Sequence, residues 1–258
     1  MPSALHLNYA KQLHKKFGLM VHYPPMKDLT IGDVGLLENK LFKRQDHLSA
    51  LTGLTVKHRL SKLSAQTDNR FYLATEGKTE VRSLAKGDAG LAHAGLEINL
   101  QKENAIFFSA TDIRIHEIEN QILLGQKILE LYKAGIWQRQ WVLVTAVYIA
   151  KSTLIFGSAK GGASIVLEAE TDVPRLDLAD VQLQLRIKRQ DTLEMNIMDN
   201  SENVCLLETS SVKRKGAWPF RKPSFGFSES DGPTDEQVLD HIRRGEKNVE
   251  DFFAFTKN

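Results

Sequence analysis

Between Val181 and Ile197 the apolar residues Val181, Leu183, Leu185, Ile187, Leu193, Met195 and Ile197 all occupy odd positions, while Gln182, Gln184, Arg186, Lys188, Gln190, Thr192, Glu194 and Asn196 fill the even ones. Side chains alternate across a β-strand with a period of two, so this stretch has to form strand with one oily and one wet face. The parity survives Arg189 to Asp191, and those residues lack the Gly or Asn that tight hairpin turns favour. A turn there preserves parity only by chance, so one long strand is the preferred reading. At about 3.3 Å per residue it reaches roughly 55 Å, well past the usual ~17–20 Å of a globular strand.

The neighbouring segments predict an α+β chain. Leu5, Tyr9, Leu13 and Phe17 recur every fourth residue between Ser3, a natural N-cap, and Gly18, a natural stop. That is an amphipathic helix whose polar face carries Lys11, His14, Lys15 and Lys16. Pro24, Pro25, Gly32 and Gly35 break the following stretch to Gly53 into short strands and turns. Phe71 to Leu73 is strand-like, and Glu76 to Gly95, rich in Gly, Ala, Lys and Asp, predicts a mobile connection. Leu96, Ile98 and Leu100 share a parity with Ile106 and Phe108, after which Ile113 and Ile115 take the other, so a bulge is expected near Ala110 to Asp112. Ile118, Ile122, Leu129 and Tyr132 predict a helix over Glu117 to Lys133, with Gly135 just beyond it.

Trp141 to Ala150 is apolar on both parities, as a strand covered on both faces requires, and Ser152 to Phe156 continues it with one polar face. Ala163 to Glu170 alternates through Ile165, Leu167 and Ala169, and Val204 to Leu207 gives a further short strand. Ser224 to Thr234 has a linker's Ser, Gly and Pro content. Thr234 and Gln237 then form a capping box for a last helix with Val238, Leu239 and Ile242 on one side. Phe252, Phe253 and Phe255 are expected to dock, because exposed aromatics are costly. The domain reading is one unit over 1–223, followed at 224–258 by a linker and a short helical tail.

Charge is distributed unevenly. The net charge of +2 gives no global basic excess, and nucleic-acid module signatures are missing, so no nucleic-acid partner is expected. The first 62 residues are nevertheless cationic, as is the stretch Lys213, Arg214, Lys215, Arg221 and Lys222, while the residues after Ser228 are acidic. Cys205 is the single cysteine, in an apolar strand context where a buried, inert thiol is the default. With no disulfide, no signal-peptide pattern and no lipidation motif, a cytosolic setting is expected. No run approaches the ~18 apolar residues of a membrane helix, although Trp141 to Ala150 matches the length of one membrane β-strand.

Catalytic motifs fail on inspection. His116 and Glu117 start an HExxH pattern, but Asn120 stands where the second histidine belongs, so no metal is expected. Lys151 and Ser152 follow Ala150 rather than glycine, and GSAKGG at Gly157 to Gly162 is no phosphate loop. No GxSxG, CxxC or GxGxxG sequence occurs. Neither a cofactor nor an enzymatic activity is expected. Two features carry function on one reading and are ordinary on another. The basic helix docks on anionic headgroups or is simply solvated, and the alternating strand is a membrane strand or a half-buried one.

The order of basic helix, short strands with prolines, interrupted strand pair, helix, second long strand pair, basic segment and short tail resembles the pore-forming domain of gasdermins. Gln140 to Tyr148, QWVLVTAVY, is similar to the strand that opens the family's second membrane hairpin, and Asp180 to Ile197 resembles the returning strand. Asp28, Leu29, Ile31 and Phe42 are compatible with the first strands. The likeness covers roughly Met1 to Lys215, and the size is similar to that of the compact fungal regulator-of-cell-death members. It implies a twisted antiparallel sheet with long hairpins and flanking helices, and a cytoplasmic resting protein that acts at the plasma membrane. Acidic phospholipids of the inner leaflet would bind Lys11, His14, Lys15 and Lys16, with Lys213, Arg214 and Lys215. One hairpin would insert Leu96, Ile98, Leu100, Ile106 and Phe108, and the other Ile165, Leu167, Val181, Leu183, Leu185 and Ile187. Copies would assemble into a ring, triggered by a closely related variant, with the acidic tail as a cap on the cationic front. The competing expectations are a soluble β-rich binding module and an enzyme of dispersed residues.

Overall fold

The computed structural model describes residues 3–22, 29–62, 70–170, 185–190, 193–214, 236, 239–240, 243–244 and 249–258. Helix α1 (Ala4–Phe17) starts where expected, with Ser3 Oγ accepting from the His6 N–H, and stops at Gly18, whose φ of 73° is left-handed. Strands β1 (Val21–His22), β2 (Asp33–Glu38) and β3 (Leu41–His47) follow, then the short helix α2 (Leu48–Thr52). Next come β4 (His58–Lys62), β5 (Arg70–Ala74), β6 (Thr79–Leu84), β7 (Gly95–Leu100), β8 (Ala105–Thr111) and β9 (Arg114–Ile118). Helix α3 (Gln121–Lys133) leads to β10 (Val142–Ala150), β11 (Ser152–Ser158) and β12 (Ala163–Ala169). The chain ends through β13 (Leu185–Gln190), β14 (Met195–Asp199), β15 (Asn203–Arg214), α4 (Val249–Phe252) and β16 (Phe253–Lys257).

These elements make a mixed α+β protein with three sheets. The first has eight strands, in the order β1-β3-β2-β10-β15-β16, with β9 also on β10 and β4 on β9. The second runs β14-β11-β8-β5 and the third β13-β12-β7-β6. Four stretches of chain each visit all three sheets: β4 to β6, β7 to β9, β10 to β12 and β13 to β15. They lie side by side in the same order every time, so the molecule contains one four-stranded ribbon folded over twice.

The two middle stretches keep one register through both folds. Gly95 faces Glu168 and Leu100 faces Ala163 in the third sheet. Ala105 faces Ser158 and Thr111 faces Ser152 in the second, and Arg114 faces Ile149 and Glu117 faces Ala146 in the first. Each fold therefore consumes equal lengths of both strands, 101–104 against 159–162 and 112–113 against 150–151. Pairing on the outer stretches is less regular, with a shift between Val166 and Leu167 opposite β13.

Three apolar cores follow from this folding. One lies between the first sheet and α3, with Phe42, Ile128, Leu143 and Phe253. The second lies beneath α1, where Leu5, Tyr9 and Leu13 meet Ile106, Phe108 and Ile155. The third fills the space between the second and third sheets, with Ile98, Phe107, Phe156 and Ile165.

Several expectations need correction. The single long strand at Val181 to Ile197 is divided: β13 pairs with β12 in the third sheet, whereas β14 pairs with β11 in the second. Ile187 and Leu193 pack in the core between those sheets, while Met195 and Ile197 turn to the core beneath α1. Alternation is blind to this division, because both strands carry the same parity although they belong to different sheets. Glu76 to Gly95 contains β6, an edge strand whose solvated side chains give it a loop's composition. The slip near Ala110 to Asp112 is a change of sheet rather than a bulge, with Asp112 at φ 53°.

The helix expected from Glu117 begins at Gln121, capped by the Asn120 side chain, and Ile118 ends β9 instead. Ser152 to Phe156 has no solvated face: all of β11 is buried, with Ser152 and Thr153 donating to Asn200 and Asn203. The aromatic end does dock, since Phe253 is fully buried with its ring 5.0 Å from that of Tyr132, and β16 pairs with β15. Thr234, Gln237, Val238 and Ile242 lie outside the described residues, whereas Leu239 is buried against the α3 core.

Candidate functional site

The fold at 101–104 and 159–162 depends on backbone that few residues accept. Asn104 has φ 55°, Gly161 78° and Gly162 73°, all left-handed. The Asn104 N–H donates to the Ala159 carbonyl at 3.1 Å, tying the two bends together. Gly161 passes so close to its neighbour that an added Cβ would lie 2.5 Å from the Lys102 carbonyl carbon.

Directly opposed residues of an antiparallel pair share a face, so the register sorts the residues expected to insert. Leu96 faces Leu167, Ile98 faces Ile165 and Leu100 faces Ala163. Ile106 faces Gly157 and Phe108 faces Ile155. Leu167 and Ala169 are in turn opposite Ile187 and Leu185. Because the register of the two middle stretches is unbroken, their residues would form one apolar face if the ribbon were straight. In the folded molecule the fold splits that face. Leu96, Ile98, Leu100, Ile165 and Leu167 lie buried between the second and third sheets, and Ile106 and Phe108 lie buried beneath α1. Val181 and Leu183 lie outside the described residues, as does the side chain of Leu185.

Helix α1 holds this arrangement closed. Tyr9 packs its ring 6.1 Å from Phe108, and Phe17 sits 4.9 Å from Phe71. Asn8 Nδ2 donates to the Asn104 carbonyl at 3.1 Å, and Thr75 Oγ1 donates to Gln12 Oε1 at 2.7 Å, so the helix grips two bends. Its outer side presents Lys11, Lys15 and Lys16 to solvent, and no acidic side chain among the described residues pairs with them. His14 differs. Burial, reinforced by the Lys40 ammonium and opposed by a backbone hydrogen bond at Leu19, lowers its pKa, so at neutral pH it adds no charge to the lysines.

The second basic cluster is elsewhere. Lys213 Nζ donates to the Lys257 carbonyl at 2.9 Å on the β15–β16 pair. The bridge that ties α1 to this strand, Met20 to Leu207, is six residues earlier, roughly 20 Å along β15. The Arg214 side chain and Lys215 lie outside the described residues. Of the tail acids described, Glu236 pairs with Arg243 and Asp240 with Arg244, and Arg243 also donates to the Lys133 carbonyl at the end of α3.

Glu168 escaped sequence reasoning. Its side chain is fully buried and accepts from the backbone N–H groups of Ala92 and His93, the latter at 3.0 Å, pinning the β6–β7 connection onto β12. On the polar parity of its strand it reads as an ordinary surface carboxylate, so the sequence carried no signal. Cys205 meets its expectation: the buried thiol donates to the Tyr148 carbonyl at 3.3 Å, and burial pushes its pKa up to about 12, which leaves it unreactive.

Among the described residues no three His, Cys, Asp or Glu side chains gather as for a metal ion. His116 lies on β9 with its ring 5.7 Å from that of His58. No helix of the described residues is long and apolar enough to cross a membrane. No family model matches the sequence, and no curated protein matches it.

Proposed function

We propose that this protein is a gasdermin-like pore former that binds acidic phospholipids, assembles with its own kind and inserts two β-hairpins per copy. The observation that carries the reading is the constant register of the two middle strands from Gly95–Glu168 to Glu117–Ala146. Straightening the bends leaves that pairing intact, so the ladder's backbone hydrogen bonds are kept while side chains change surroundings. The apolar face that results, from Leu96 and Leu167 to Phe108 and Ile155, is the lipid-facing side a membrane strand needs. Hydrocarbon leaves no unpaired backbone group unpunished, at several kcal/mol each, so the open outer strands must pair with neighbouring copies in a closed wall.

Lys11, Lys15 and Lys16 supply the first contact, each worth about 1 kcal/mol at an anionic leaflet. The same helix covers Ile106 and Phe108 and grips the bends through Asn8 and Gln12. Lipid engagement that draws α1 away therefore uncovers the apolar face where hydrocarbon is available. Resting copies are held folded by three cores, and a closely related variant of the protein is the trigger this reading favours.

Dye release from vesicles tests the proposal. Acidic vesicles should leak in the presence of the protein and a related variant, with rings visible by electron microscopy, while neutral vesicles stay sealed. Lys11→Glu, Lys15→Glu and Lys16→Glu together should reduce release by about tenfold or more, with the melting temperature unchanged because all three side chains are exposed. Sealed acidic vesicles, or equal leakage from the triple variant, would overturn it in favour of a soluble binding module.

A further inference from the structure

On the opposite side of the first sheet from α1, helix α3 leaves part of the sheet uncovered. Ala146 and Tyr148 of β10 pack in the α1 core, whereas Val147 and Ile149 pack toward α3, so the two helices lie on opposite faces. Where α3 begins, a cavity of about 470 Å3 opens between its first turns, the end of β9 and the segment leading into β4. Its apolar lining comes from Leu54, Val56, Ile118 and Leu124. Leu123, about half exposed, stands at the rim, and Ile122 beside it is 81% exposed. A helix's first turn ordinarily carries polar or acidic residues, so two large apolar side chains there are out of place on a solvated surface.

Two backbone donors beside this cavity are already paired within the chain. The Glu119 N–H donates to the Lys57 carbonyl at 3.1 Å, and Asn120 Oδ1 accepts from the Leu123 N–H at 3.1 Å. What remains open to a ligand is the apolar lining and the charged groups around it. Two of those are cations. Among the described residues Lys57 has no acidic partner, and Lys127 has one, the exposed Glu130 at 3.0 Å. Glu119 is the one acid among the described lining residues, so the balance favours an anion. The volume falls within the ~300–1,000 Å3 of small-molecule sites. A protein partner would need on the order of 1,000 Å2 of complementary surface, which a few exposed side chains do not supply.

We propose that this cavity binds a single-chain anionic amphiphile, with its hydrocarbon chain against Leu54, Val56, Ile118 and Leu124 and its head group between Lys57 and Lys127. A fatty acid and a lysophospholipid-type phosphate share that chemistry. The inference does not depend on pore formation, because the site lies across the sheet from α1 and is read without a membrane.

Isothermal titration of the 258-residue chain tests it with four probes below their micellar concentrations: laurate, dodecyl phosphate, dodecanol and butyrate. Laurate or dodecyl phosphate should bind with one site per chain, and the tighter of the two identifies the head group. Dodecanol, which lacks the charge, and butyrate, which lacks the chain, should bind about tenfold more weakly or not at all. Leu123→Glu at the rim and the pair Lys57→Gln with Lys127→Gln should each weaken binding about tenfold, while Lys151→Glu, exposed and outside the lining, should not. Melting curves of each variant separate lost binding from lost folding, and Leu123 and Lys127, being exposed, tolerate substitution. Absence of binding by both anionic probes overturns the proposal. So does dodecanol binding as tightly as laurate, or folded Leu123 and lysine variants that bind like the parent.

Discussion

Gly161 must be glycine for two separate reasons. Its φ of 78° costs a residue with a side chain about 1–2 kcal/mol, more for a β-branched one. A Cβ would also sit 2.5 Å from the Lys102 carbonyl carbon, backbone that has nowhere to move without parting the two bends. In a straight strand neither objection applies, and valine is among the residues best suited to one. Gly161→Val thus penalises the folded ribbon alone, by roughly 2–4 kcal/mol. It should lower the melting temperature and speed dye release from acidic vesicles. Gly162→Ala is the comparison: its φ is 73° but nothing lies within 4 Å of the added carbon, so only the smaller conformational cost of about 1 kcal/mol applies. A Gly161→Val protein that melts with the parent would show that the bend is not held by this residue.

At the scale of elements, α1 is where acid should act. Burial lowers the pKa of His6, whose ring sits 2.7 Å from Ser3 Oγ, and burial aided by Lys40 lowers that of His14. A histidine with a depressed folded pKa is protonated more readily when the helix is undocked, so the undocked side of the equilibrium binds more protons and stability falls as the pH is lowered. The loss begins below the ordinary value of about 6.5 and proceeds toward the depressed one. Moving from about pH 7.5 to about pH 5.5 should raise amide exchange in α1 ahead of α3, and His14→Gln should flatten that dependence.

Helix α1 was legible because period, N-cap and stop agreed at every residue. The β9–α3 boundary was not, because Ile118 and Ile122 happen to be four apart although one ends a strand and the other faces water. The same limit hid the folds. Leu96 to Phe108 keep one parity whether the strand is straight or bent, so the face was readable and its division between two cores was not. The exposed lysines of α1 could be found from the sequence, whereas Glu168 and the cavity beside α3 depend on neighbours remote in the chain.

For the whole molecule, the question is which ribbon edges are free to meet another copy. β5 and β6 end the second and third sheets on one side, and β14 and β13 end them on the other. In the first sheet β4 is an edge, but β15 is covered by β16, which pairs from Ser210–Lys257 to Arg214–Phe253. A head-to-tail wall joins one side of each copy to the other side of the next, so the covered strand limits how far that joint can extend. The last strand is therefore both support and guard. Phe253 is fully buried against Tyr132, and losing a buried phenylalanine costs about 3–5 kcal/mol. Removing β16 also bares the edge of β15, a template for pairing with other chains. Truncation after Ser230 should accordingly lower the melting temperature and produce oligomers in solution without lipid, measured by light scattering. Glu236 and Asp240 pair with Arg243 and Arg244 rather than with the α1 lysines, so removing those two charges alone should be silent. Glu236→Gln with Asp240→Asn should leave vesicle binding and leakage at the parent's level, and a gain of leakage in that variant would restore the tail's charge as the restraint.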